Sequence, residues 1–283
     1  MSYTLNQLLE DVYAELGQLQ VSTATGGTST SLQDSKLIGS GADDDWKDGM
    51  LLILEADGAA PKGEFSAIAN YTDSSGTFDL AAELSAAPEN GDSYGLISAT
   101  YPVGVMLRLV NTGLRRLGNI PMVDNLTLET SSGQSEYPTE AAWQHRPPYR
   151  IEMQTGGGEM ASKWERLHDW EYLPAAPGEQ GKILFGQPLP DGRPLQVWYQ
   201  TPHPRVSAYN DAIAEVISPS LAVAACVEQA LRWANSRLGG GDAFMLQRWN
   251  DAKITLEQAR RMHPIWHPKP SARMKLAGMG APR

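Results

Sequence analysis

The chain has 283 residues, 41% of them hydrophobic and 20% charged, a composition that folds rather than staying disordered and a length that suits one large domain or two modest ones. No run approaches eighteen consecutive apolar residues, and Met1, Ser2, Tyr3 and Thr4 lack the basic start and apolar block of a signal peptide, so neither a membrane span nor export is expected. The single cysteine, Cys226, has no intrachain disulfide partner, and the net charge of −10 sits in one place: residues 21–100 hold 13 acids against 3 lysines, while residues 263–283 carry Lys269, Arg273, Lys275 and Arg283 and no acid.

In chain order, Leu5, Leu8, Leu9, Val12, Tyr13 and Leu16 recur at intervals of three and four, which predicts an amphipathic helix capped by Thr4 and stopped by Gly17. The following eighty residues change style. Gly, Ser, Thr and Asp clusters separate short apolar or alternating runs at Met50–Leu54, Phe65–Tyr71, Thr77–Leu80 and Ser93–Ile97, with turn signals at Asp57-Gly58, Ser75-Gly76 and Asn90-Gly91-Asp92. This reads as a small antiparallel β domain inserted between two helices that pack on each other. The second of those helices follows Pro102 with Val105, Leu109, Val110, Leu114 and Leu117, and ends near Gly118-Asn119, where Pro121 forbids continuation.

From Asn125 to Arg205 the pattern is β again, with strands expected at Leu126–Glu129, Tyr149–Met153, Trp164–Tyr172, Lys182–Phe185 and Leu195–Tyr199, rich in tryptophan and tyrosine that pack across strands. Ser218-Pro219 then opens a long apolar helix that runs to Gly239-Gly240-Gly241, and Asp242 opens another bearing Met245, Trp249, Ala252, Leu256 and Ala259 until His263-Pro264. These two predict an antiparallel hairpin. Residues 264–283 hold four prolines and no helical period, which predicts an extended end.

Catalytic constellations are not found in the sequence. It has no phosphate loop, no Gly-x-Ser-x-Gly elbow and no His-Glu-x-x-His helix; Asp43-Asp44-Asp45 with Asp48 lacks calcium-loop spacing and reads as a solvated acidic turn. Cys226 lies among Val223, Val227 and Ala230 as an inert small hydrophobe. His145, His168, His203, His263 and His267 do not pair on one helix face. The expectation is therefore no enzyme activity, no cofactor and no metal. The acidic balance also argues against duplex DNA binding by the body of the chain.

Three stretches resemble the head-to-tail adaptor (connector) proteins of tailed bacteriophages: the Thr4–Val12 helix with its later partner Asn111–Leu117, the run Gly192–Tyr199 leading through His203-Pro204 to the helix hairpin, and the basic extended end after Ile265. Gly91-Asp92-Ser93-Tyr94 matches the turn that closes Gly/Thr-rich β insertions of phage structural proteins. The resemblance implies a four-helix body that forms a ring, usually of twelve copies, beneath the portal, with the C-terminal arm gripping the portal.

The expected fold is α+β: a helical bundle of four main helices with an inserted small β domain, a second larger β domain and an extended C-terminal arm. The expected segments are bundle helix 1–20, inserted acidic β domain 21–100, bundle helix 101–120, second β domain 121–210, helical hairpin 211–263 and basic arm 264–283. Ile265, Trp266, His267, Lys269, Arg273, Met274, Lys275, Leu276, Met279 and Arg283 are the candidate portal-binding residues, because apolar side chains on a basic, proline-interrupted segment suit a segment that orders on an acidic partner. Expected partners are further copies of the chain, the portal protein, a downstream neck or tail protein, and genomic DNA that passes through the lumen without specific binding. Arg232 and Arg237 are expected at subunit contacts. The implied location is the virion neck, reached from the host cytoplasm during assembly. The alternative is a tail or baseplate module whose β domains recognise a carbohydrate.

Overall fold

A computed structural model of the chain describes residues 2–56, 62–125, 127–141, 143, 146–155, 163–175, 179–237 and 242–269. The described residues form two compact units, one within 2–117 and 203–265, the other within 118–202 and 266–269. In the first unit, α1 (Leu5–Glu15) is followed by β1 (Leu19–Thr23), β2 (Gly26–Thr28), β3 (Ser31–Gln33), β4 (Met50–Glu55), β5 (Phe65–Thr72), β6 (Thr77–Leu80), β7 (Ser93–Ile97) and α2 (Val103–Arg116), and later by α3 (Pro219–Arg237) and α4 (Ala243–Met262).

Thr4 caps α1 through a capping box with Gln7, and Gly17, at φ +66°, ends it where a side chain would be strained. The seven strands form one antiparallel sheet in the order β1-β7-β4-β5-β6-β3-β2. Strand β5 joins its two halves: Phe65 to Ala67 pair with β4, and Ile68 to Thr72 pair with β6 across a register shift. The sheet therefore turns on itself, and Leu32, Leu51, Ile53, Phe78, Tyr94 and Leu96 from both halves share one core. Phe78 stacks on Tyr71 and meets Tyr94 edge-on.

A buried carboxylate ties this sheet together. Asp34 is fully buried and accepts hydrogen bonds from the Ser22 hydroxyl on β1, from the Tyr94 hydroxyl on β7 at 2.8 Å and from the Lys36 backbone N–H at 2.9 Å. Burial and the Asp34 carboxylate both push the Tyr94 hydroxyl pKa up, so the phenol remains a donor. The Asp34 N–H donates to the carbonyl of Gly76, whose φ of +59° and closeness to the Asp34 carbonyl leave no room for a Cβ.

The helices pack around α3, which meets α1, α2 and α4. At Gly113 of α2 an added Cβ would lie 2.9 Å from the Ala225 carbonyl oxygen, so the close approach of α2 and α3 depends on glycine there. The segment between residues 203 and 217 clamps α1: Leu5 and Asn6 donate to the carbonyls of Asp211 and Tyr209, and Ile213 donates to that of Tyr3. Asn111 holds the same segment from α2, donating to the Val206 carbonyl and accepting from the Val206 N–H.

The second unit contains β8 (Asn119–Asp124), β9 (Glu136–Pro138), β10 (Arg150–Gln154), β11 (Trp164–Leu167), β12 (Trp170–Leu173), β13 (Lys182–Phe185) and β14 (Leu195–Pro202). They form a four-stranded sheet, β11-β10-β14-β8, and a three-stranded sheet, β12-β13-β9. Both sheets contribute to one core, with Ile151, Leu195 and Val197 from the first and Tyr137, Ile183 and Phe185 from the second. Trp143 is completely buried in that core and its indole N–H donates to Asp124 at 3.0 Å.

The expected helical bundle with a small inserted β domain is not the architecture. Among the described residues, strand at 29% outnumbers helix at 27%, and three antiparallel sheets dominate four helices. The region expected to be the smaller β part carries the largest sheet. Helices α1 and α2 pack chiefly on α3, not on each other. The reason lies in signal length: helical periods repeat over eleven to twenty residues, whereas β2, β3 and β9 have only three each, too few to show an alternation. Helix α2 ends at Arg116 with Gly118 at φ +101°, ahead of Pro121, which lies inside β8, an edge strand that tolerates proline. The run expected as one strand at Trp164–Tyr172 splits into β11 and β12 in different sheets, and Glu129 makes only an isolated bridge to Pro194. Leu126, Asp57-Gly58, Gly156-Gly157-Gly158 and Gly239-Gly240-Gly241 lie outside the described residues.

Removing the Asp34 carboxylate leaves buried donors without partners, so Asp34→Ala is expected to cost about 2–4 kcal/mol and Tyr94→Phe about 1–3 kcal/mol in chemical denaturation. Equal stability of both variants with the parent would refute the role of this network. His203 gives a pH dependence: it is buried, its Nδ1–H donates to the Pro204 carbonyl at 2.6 Å and its Nε2 accepts from the Ala214 N–H at 3.0 Å. That acceptor role requires a neutral ring, and burial holds its pKa below the ordinary 6.5, against the opposing effect of the Pro204 bond. Since the unfolded chain takes the proton first, stability is full above about pH 6.5 and falls as the pH drops below it. Thermal melts from pH 7.5 to 5 should show a weaker decline for His203→Gln than for the parent.

Candidate interaction surface

Helix α4 is the least buried of the four helices. Of its twenty residues only Ala252 and Ala259 are buried, while Phe244 is 66%, Ile254 58% and Met262 74% exposed. Asp242 caps its start by accepting from the Phe244 and Met245 N–H groups. Fully burying an isoleucine or phenylalanine contributes about 1.5–3 kcal/mol, so this is a large apolar surface to leave in water.

The side of α4 that does pack is held by one buried acid. Glu228 of α3 accepts from the Trp249 indole N–H at 2.9 Å and from the Arg116 guanidinium of α2 at 3.3 Å. Arg260 of α4 donates in turn to the Arg116 carbonyl, and Arg248 to the Leu16 carbonyl after α1. Polar bonds at three points thus fix α4 relative to α1, α2 and α3.

Between α1 and α4, above α3, lies a cleft of about 930 Å³. Its floor is apolar, from Val223, Ala224, Val227 and Leu231 of α3, and small residues on its flanks, Ala14, Ala252 and Ala259, let a partner backbone come close. Its charged lining holds three carboxylates, Asp11, Glu15 and Asp251, against one guanidinium, Arg248. Asp11 also accepts from the Tyr3 hydroxyl at 2.6 Å, and burial with this acid pushes the Tyr3 pKa up. An apolar floor with an acidic rim recognises a basic, apolar-bearing segment.

Of the ten residues expected in the portal-binding arm, four are described. Ile265 is half-buried, Trp266 is 63% exposed, and His267 and Lys269 are exposed. Arg273, Met274, Lys275, Leu276, Met279 and Arg283 lie outside the described residues, as does His145. Arg237 stacks over Trp233 at 5.4 Å and Arg232 is exposed.

The other candidates from the sequence fall into structural roles. Asp43 accepts from the Asp73 N–H and Asp45 from the Ala42 N–H, so this acidic turn uses carboxylates to hold its own backbone, with Asp44 and Asp48 at positive φ. Cys226 is fully buried and burial pushes its thiol pKa up, which disfavours the thiolate. No group of three His, Cys, Asp or Glu residues able to hold a metal ion occurs among the described residues. No helix among them is long and apolar enough to cross a membrane. Two tryptophans of the second unit's sheets are engaged within it: Trp170 donates to the Leu167 carbonyl, and Trp198 donates to buried Glu152 with Arg150 over its ring.

The cleft residues Asp11, Glu15 and Asp251 were not singled out by sequence reasoning, nor was Ile254, and Val223 and Val227 were read only as neighbours of Cys226. One signal was legible: Phe244 and Ile254 are large apolar residues that fall off the Met245, Trp249, Ala252, Leu256, Ala259 stripe. The chain matches no protein-family model, and comparison with curated proteins finds no match.

Glu228→Ala should loosen α4 by stranding the Trp249 indole N–H, at a cost of about 1–3 kcal/mol. Amide hydrogen exchange should rise in α4 before the sheets are affected; unchanged protection there would show that Glu228 does not anchor the helix.

Proposed function

We propose that the chain is a virion structural protein, a head-to-tail adaptor of a tailed bacteriophage that assembles as a ring around the DNA channel and docks on the portal through residues 264–283. The observation that carries this reading is the exposed apolar series Phe244, Ile254 and Met262 on the last helix, which leads into the basic segment that follows it in the chain. Such a series on an otherwise charged surface suits a protein that works by binding other proteins. The sequence resemblance to connectors supplies the identity of the partners, and the +4 charge of residues 263–283 suits an acidic docking surface.

Charge supports the channel role as well. With the acidic segment 21–100 and the basic segment 263–283 set aside, the remaining residues carry a net −4, so a wall built from them repels phosphate and lets DNA slide. The carbohydrate-binding alternative draws less support, because Trp170 and Trp198, two of the β-sheet tryptophans that would stack a sugar, are half-buried and engaged with Leu167 and Glu152.

The test is co-sedimentation and negative-stain imaging of the full chain mixed with the portal of the same phage. The intact protein should decorate one face of the portal, and a chain ending at His263 should lose at least about tenfold in affinity, equivalent to about 1.4 kcal/mol, while keeping its circular dichroism. Failure of the intact protein to bind the portal overturns the adaptor reading, and full-strength binding by the shortened chain overturns the role of the arm.

A further inference from the structure

The cleft and the surface complementary to it are on the same chain. On the outermost line of α4 stand Lys253, Ile254, Glu257 and Arg261, with two bases and one acid around an isoleucine that is 58% exposed. At 100° per residue, Arg261 falls within about 20° of Ile254, two turns along the same ridge. The cleft faces a different direction, toward α1, and offers an apolar floor with Glu15 and Asp11 on its α1 rim.

We infer that this ridge of α4 docks in the α1/α3/α4 cleft of a second copy of the chain, Ile254 entering over Val223 and Val227 while Arg261 meets Glu15. The inference rests on the ring reading and gives that ring its subunit contact. Charge complementarity names the occupant. The cleft lining holds Asp11, Glu15 and Asp251 against Arg248, a net −2, whereas the ridge holds Lys253 and Arg261 against Glu257, a net +1. An acidic-rimmed groove and a basic apolar ridge on one molecule are self-complementary between copies. Ridge and groove meet at Gln258; engaged one way the contact repeats head-to-tail, as the ring reading requires, and engaged reciprocally it closes a two-fold dimer, which the sedimentation coefficient distinguishes.

The contact can be isolated by charge exchange on exposed residues, Glu15, Lys253 and Arg261 all being exposed. Sedimentation velocity of the full-length chain over a range of concentrations reads self-association directly. Ile254→Asp, Glu15→Arg and Arg261→Glu should each weaken it by about tenfold or more, and the double variant Glu15→Arg with Arg261→Glu should recover most of the loss. Circular dichroism and portal co-sedimentation are measured on the same samples.

Association that is unaffected by the single variants overturns the inference and leaves the adaptor reading standing, since portal binding tests that separately. Singles that weaken association without recovery in the double overturn the Glu15–Arg261 pairing. If a chain ending at His263 loses self-association while Ile254→Asp keeps it, the basic C-terminal segment occupies the cleft and the α4 ridge does not. An intact chain that stays monomeric at all concentrations also overturns the contact.

Discussion

The helical part of the first unit depends on how closely other helices can approach α3. Ala222, Ala224, Ala225, Ala230 and Ala234 give α3 a thin profile, and Gly113 lets α2 press onto the Ala225 backbone, where any side chain would collide. A helix buried on several sides must still satisfy its polar groups, and Glu228 does so by binding Trp249 from α4 and Arg116 from α2. On the remaining side, between α1 and α4, Val223, Ala224, Val227 and Leu231 form the apolar floor of a cleft.

The sheet of the first unit is organised on a different principle. Its strands are short, and its middle strand, β5, changes partners halfway along. A carboxylate that reaches Ser22, Tyr94 and the Lys36 N–H from one position fixes register between segments far apart in sequence, which weak local strand propensity does not do alone. Asp34 therefore carries a structural role in the most acidic part of the chain, and the nearby acids at Asp43 and Asp45 hold loop backbone.

These constraints bear on function through what they leave unsatisfied. The described histidines, acids and cysteine with distinctive surroundings, His203, Asp34, Glu152, Glu228 and Cys226, are engaged in holding the fold, while α4 leaves Phe244, Leu246, Ile254 and Met262 exposed. A surface of this kind is suited to assembly, and the proposed connector role uses it at two places: a ridge for a neighbouring copy and a basic segment for the portal.

The sequence by itself determined the four helices almost to their ends, because apolar spacing, Thr4, Asp242 and the glycine and proline stops are local signals with the period of the helix they build. It also placed β4 to β7, β13 and the start of β14, where four or more residues alternate or run apolar. Only the tertiary structure decided that β1, β2, β3, β8 and β9 are strands at all, that the Trp164 to Leu173 stretch divides between two sheets, and that α1 and α2 meet through α3. A three-residue strand such as Gly26–Thr28 is held by its partner's hydrogen bonds rather than by any preference of its own residues, and that partner is identified only once the chain has folded back. The cleft was invisible for the same reason: Glu15, Val223 and Asp251 come from three helices, and no spacing along the chain relates them.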